Sequence, residues 1–163
     1  MTAIDKAEVE RKLDAEWQSL QRAVESLSES ELQAPGVVEE WSVKDLLGHI
    51  AFWANKAAHD LDAINAGEEG AIQLADGQEG VDAWNARESE ARKDRPLADV
   101  KTEWEASFEA ARQALSVTPV EKLEIEVEGW NMFTRFAEDT YRHYREHAAQ
   151  IKEWKRELET TEE

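Results

Sequence analysis

Apolar residues recur in steps of three and four along four long stretches of the chain, and each stretch reads as an amphipathic helix. The first, from about Ala3 to Leu27, carries Val9, Leu13, Trp17, Leu20, Val24 and Leu27 on one stripe. A polar stretch from Ser28 to Glu40, with Pro35-Gly36 inside it, interrupts the pattern. The second helix has the clearest start. Ser42 caps it, Asp45 three residues on completes a capping box, and Trp41 and Leu46 are spaced for a hydrophobic staple. It continues through Ile50, Trp53, Ala57 and Ile64, and Gly67 closes it.

The segment from Gly67 to Gly80, rich in Gly, Glu and Asp, has the weakest claim to regular structure. A shorter helical piece over Val81–Arg92, containing Trp84, follows as part of a crossover connection. Pro96 suits the first turn of the third long helix, whose stripe is Leu97, Val100, Trp104, Phe108, Ala111 and Leu115, and Thr118-Pro119 ends it. Leu123 to Val127 alternates apolar residues with glutamate, a pattern open to a short strand, and reads as an extended connection. The last helix spans about Phe133 to Leu158, ahead of a charged, frayed tail at 159–163. Four such helices with no sheet to bury them imply an all-α four-helix bundle, with the long connection between helices 2 and 3 and residues 1–163 in a single domain.

Composition narrows the class. The residues are 41% hydrophobic and 34% charged, with few Gly and three Pro, the balance of a soluble helical protein and not of a disordered chain. A formal net charge of −18 argues against nucleic acid and anionic membrane as partners, because both are bound mainly through Lys and Arg. With no Cys there is no disulfide, no thiolate ligand and no protein thiol nucleophile, so thiol chemistry needs an external thiol. No signal peptide and no apolar run near twenty residues is evident, and the expected location is cytoplasmic.

The candidate chemistry lies in the histidines. His143 and His147 are spaced i,i+4 and fall within the stripe formed by Phe136, Thr140, Ile151, Trp154 and Leu158, so both point into the bundle. His49 shares its face with Leu46, Trp53 and Ala57 and also points inward, whereas His59 stands about 80° away from it and reads as a surface histidine. A buried imidazole is commonly satisfied by a carbonyl or a water. Three of them cost free energy unless every nitrogen finds a partner, and one divalent cation satisfies all three. Neutral imidazoles suit Zn, Ni, Fe or Co without choosing among them. Asp45 and Asp139, one turn before His49 and His143, are candidate outer acceptors, although a helix-start role fits Asp45 better. Trp53, Trp130, Phe136 and Tyr144 are either pocket walls or plain core, and Glu138, Asp139 and Glu146 are candidate bases in a chain crowded with acids. No P-loop, dinucleotide fingerprint, nucleophile elbow or EF-hand loop is present.

Trp41 to Ile50, read W-S-V-K-D-L-L-G-H-I, resembles the signature of the DinB-like (DinB/YfiT) superfamily of metalloenzymes. The segment from Tyr141 to Trp154, with His143-x-x-x-His147 and then Gln150-Ile151, resembles that superfamily's last helix, and Trp84-Asn85 resembles the mid-chain segment of its ClbS/DfsB-type branch. The resemblance covers nearly the whole chain in the same order. It implies a divalent metal held by His49, His143 and His147, thiol-dependent transfer with a low-molecular-weight bacterial thiol, and a homodimer acting on a small-molecule substrate. Two other readings stand beside that one: a metal-dependent hydrolase, and a non-catalytic metal-binding or dimerising stress-response protein.

Overall fold

A computed structural model describes residues 3–162 of the chain. The stripes fold as amphipathic helices: α1 (Lys6–Glu25), α3 (Val43–Asn65) and α5 (Leu97–Val117), with α7 (Met132–Asp139) and α8 (Tyr141–Thr161) sharing the fourth. Short α2 (Glu29–Gln33) lies in the polar stretch after α1, α4 (Gly77–Arg92) in the connection after α3, and α6 (Val120–Leu123) after α5. The expected four-helix bundle is the fold. No helix among the described residues is long and apolar enough to cross a membrane.

Packing follows the stripes. Leu13 and Leu20 of α1, Leu46, Ile50 and Leu61 of α3, Leu115 of α5 and Tyr144 of α8 are all fully buried. Trp17 is the hub: its ring stacks on Phe108 at 4.5 Å, tilts against Trp104 at 4.5 Å, and meets Tyr144 at 5.5 Å. One α1 side chain thereby joins α5 and α8, and its burial removes on the order of 150–250 Å² of aromatic surface from water.

Helix ends obey the expected chemistry. The Ser42 hydroxyl accepts from the Asp45 amide at 3.1 Å, and the Ser42 amide donates to the Asp45 carboxylate at 2.9 Å, closing a capping box at the start of α3. At its far end Gly67 takes φ +73°, a left-handed conformation open to glycine, while the Glu68 amide reaches back to the Ala63 carbonyl at 2.8 Å. Gly48 has a different role. A Cβ there would stand 2.6 Å from Cδ of Arg92, so the missing side chain is what lets Arg92 of α4 lie across α3 and pair with Glu103 of α5 at 2.6 Å.

Two expectations are corrected. The connection after α6 is a minimal antiparallel hairpin, β1 (Glu126–Val127) with β2 (Trp130–Asn131). Its loop residues Glu128 and Gly129 both have positive φ, 52° and 83°, as the twist of a two-residue hairpin requires. The last helix is also broken. Thr140 leaves helical geometry at φ −123°, ψ −98°, and its hydroxyl donates to the Phe136 carbonyl at 2.6 Å. A side-chain hydroxyl replaces a helix amide at that carbonyl, and α8 restarts one residue later.

Candidate metal centre

The break at Thr140 sets the start of α8, and His143 and His147 occupy its first two turns; His49 faces them from α3. The Nε2 atom of His143 lies 2.8 Å from Nε2 of His49 and 2.8 Å from Nε2 of His147. All three donor atoms lie within 4.8 Å of one another. The rings stand at 71°, 82° and 70° to each other, so they turn their edges to a shared point instead of stacking.

Protein hydrogen bonds do not satisfy this arrangement. A ring nitrogen either donates one hydrogen or accepts through one lone pair, so Nε2 of His143 serves only one of its two neighbours at a time. A cation does better. With metal–nitrogen bonds near 2.0–2.1 Å, imidazoles on adjacent octahedral or tetrahedral corners stand roughly 2.9–3.4 Å apart. The two 2.8 Å separations need only a slight opening to reach that range.

The electrostatics suit the same role. Burial, then the neighbouring His147, pulls the His49 pKa down to about 3, against a smaller upward pull from the Asn85 side chain. Burial and the two other rings hold His143 well below the ordinary histidine value. His147 is lowered by burial, against Gln150 and the Glu146 charge. All three are neutral at neutral pH, the protonation state a metal ligand needs.

Two supporting residues were invisible as such in the sequence. Gln150 Oε1 accepts from Nδ1 of His147 at 2.6 Å, which leaves Nε2 of that ring with its lone pair. Asn85 of α4 accepts from Nε1 of Trp53 at 2.8 Å and lines the cleft beside His49, tying the connection to the site. The Trp84-Asn85 dipeptide was the only sequence signal for this contact.

Of the other candidates, Asp45 is engaged in its capping box. Asp139 makes no hydrogen bond to His143, whose Nδ1 is buried without a partner among the described residues. Neither acid is an outer acceptor for the trio. His59 is exposed, as expected, beside Phe52 and Trp84 in a separate hollow. Phe136 and Tyr144 are core. Trp53 and Trp130, with Glu138, Asp139 and Glu146, do line an open cleft of about 550 Å³ in front of the three histidines.

The sequence profile described as Mycothiol maleylpyruvate isomerase N-terminal domain matches residues 13–156. No protein of curated function matches the chain by sequence. Among solved structures, the colibactin self-resistance protein ClbS, crystallised in complex with a dsDNA, superposes with a TM-score of 0.79 at 12% identity, covering 91% of this chain and 93% of ClbS. An uncharacterised protein from Escherichia coli UTI89 gives 0.79 at 13% identity, covering 94% of each chain. The sibling lethal factor precursor DfsB gives 0.80 at 12% identity, covering 96% of this chain and 98% of DfsB. At such identities these likenesses concern the fold. The ClbS complex overturns one expectation nonetheless, that acidity excludes nucleic acid as a partner. Net charge sums the whole surface, whereas binding depends on the local distribution of charge and shape, and this fold does meet a duplex in ClbS.

Proposed function

The chain belongs to the mycothiol maleylpyruvate isomerase N-terminal domain family, within the DinB-like superfamily, and on that footing we propose that it is a divalent-metal-dependent enzyme that transfers a low-molecular-weight thiol to an electrophile. The observation that carries this reading is the convergence of three neutral Nε2 atoms at the head of an open cleft. Three protein ligands leave coordination positions free, as catalytic sites require. When bound, the cation supplies the Lewis acidity that brings a thiol's pKa to neutrality.

The chain's own residues do the rest. His49, His143 and His147 hold the cation, Gln150 orients the His147 ring, and the cleft gives the electrophile its path. On an activated aryl halide the thiolate sulfur forms the new bond to carbon, the carbon–halogen bond breaks with the halide leaving to solvent, and the thiol proton passes to solvent or to a cleft carboxylate. Absence of Cys accords with an external thiol, and the family description names one, mycothiol.

The test is conjugation of 1-chloro-2,4-dinitrobenzene by metal-loaded protein with mycothiol, bacillithiol or glutathione in turn. Thiol-dependent turnover that disappears in His143→Ala supports transfer. Turnover of an ester substrate without any thiol favours the hydrolase reading instead. The ClbS complex with dsDNA makes a duplex oligonucleotide the first macromolecular partner to test by gel shift.

A further inference from the structure

The cleft extends past the histidines into a second chamber of about 470 Å³, which shares Trp53, Gln78, Val81, Trp130, Glu138 and Asp139 with the first. Charges in this extension are unevenly satisfied. Lys56 is occupied by Asp60, bonding both carboxylate oxygens at 3.0 and 2.8 Å in a largely buried pair. Arg135 of α7 donates to the Val127 carbonyl with its Nε buried and unpartnered among the described residues, and Glu138 pairs with Arg142 at 2.9 Å. Asp139 is half-buried where the two chambers meet, with no hydrogen-bond donor among the described residues. Burial pushes its carboxyl up to about 7, with Lys56 and Arg135 opposing and Asp60 and Glu138 adding to the rise. A carboxylate in that position is stabilised by an incoming cation.

The walls favour the same guest. Trp53 is fixed by its bond to Asn85 and by stacking on Trp84 at 6.0 Å. Trp130, at the start of β2, is 52% exposed, an unusual state for so large an apolar ring unless something covers it. Indole faces attract cations, and although Lys56 and Arg135 also line the chamber, the four carboxylates of Asp60, Glu128, Glu138 and Asp139 outnumber them against an anionic guest. We propose that the chamber walled by Trp53, Trp130 and Asp139 is a subsite for a protonated amine carried on an apolar body. It deepens the enzyme reading by naming a class of substrate, yet the subsite does not require a metal at the histidines.

The experiment titrates 2-phenylethylamine, and separately the anion 3-phenylpropanoate, into the chelator-treated protein, read by tryptophan fluorescence. The amine is expected to bind and the anion not, and Asp139→Asn and Trp130→Ala are each expected to weaken the amine by about tenfold. His143→Ala is expected to leave amine affinity intact. Equal binding of amine and anion overturns the subsite, as does unchanged amine affinity in Trp130→Ala, an exposed position whose replacement leaves the fold whole. Loss of amine binding in His143→Ala overturns it too, because the amine would then sit on the imidazoles. A wild type that binds amine but no metal sinks the metal reading alone.

Discussion

His147 donates its Nδ1 hydrogen to Oε1 of Gln150 across 2.6 Å, and this one bond determines which nitrogen the ring offers to His143. The two residues are three apart on α8, so the helix itself delivers the acceptor. Gln150→Leu removes the acceptor while keeping the helix and its side-chain volume. Metal affinity, measured by competition with a chromophoric chelator, is expected to fall about 10–100-fold. Gln150→Glu, which keeps an acceptor, is expected to retain most of it.

The same rings make the metal-free protein acid-sensitive. His49 is lowered from 6.5 to about 3, and His143 and His147 are lowered with it, so the unfolded chain takes up protons that the folded chain refuses. Their stability contribution is whole above about pH 6.5 and is lost as pH falls from there toward the folded values. Asp139 has the opposite sign. Raised from 3.8 to about 7, it destabilises most above pH 7 and is relieved as pH drops through 7 toward 4. Urea melts of metal-free protein between about pH 7 and 5 are expected to show falling stability, with a shallower fall in His143→Ala and a steeper one in Asp139→Asn. Slopes equal to wild type in both variants would mean that the rings are not buried and neutral.

The capping box at Ser42 positions the helix that carries His49. Ser42→Ala leaves the Asp45 amide without its acceptor and removes one of the two hydrogen bonds to the Asp45 carboxylate, and is expected to cost about 1 kcal/mol in thermal or urea unfolding. Because His49 lies nearly two turns further on, saturating metal binding is expected to survive the change. A loss of metal stoichiometry together with a small stability change would show that the cap holds the site and not merely the helix.

Much of this was legible in the chain because the information was local. The stripes through Leu13, Trp17 and Leu20, or through Leu46 and Ile50, mark the buried faces, and Ser42 and Gly67 mark the ends of α3. The inward faces of His49, His143 and His147 follow from the same periodicity. What it concealed depends on tertiary contact or on a single unusual residue. Nothing in Phe133–Leu158 announces that the Thr140 hydroxyl will take the Phe136 carbonyl and break the helix. Glu128-Gly129 is a weaker turn signal than Asn-Gly, and the strands it joins are only two residues long. Asn85 reaches Trp53 and the cleft beside His49 from a different element, a contact no periodicity contains. The inference from net charge to partner failed for a related reason, since composition holds no surface geometry.

The most direct measurement is metal stoichiometry by inductively coupled plasma mass spectrometry on protein purified without a nickel column, for wild type and for the four single His→Ala variants. The expected result is close to one divalent ion per chain in wild type and in His59→Ala, with most of it lost in His49→Ala, His143→Ala and His147→Ala while helical circular dichroism persists. A wild type that carries no metal and takes up none on titration, or a His59→Ala variant that loses as much as the other three, would contradict a centre built from these three histidines.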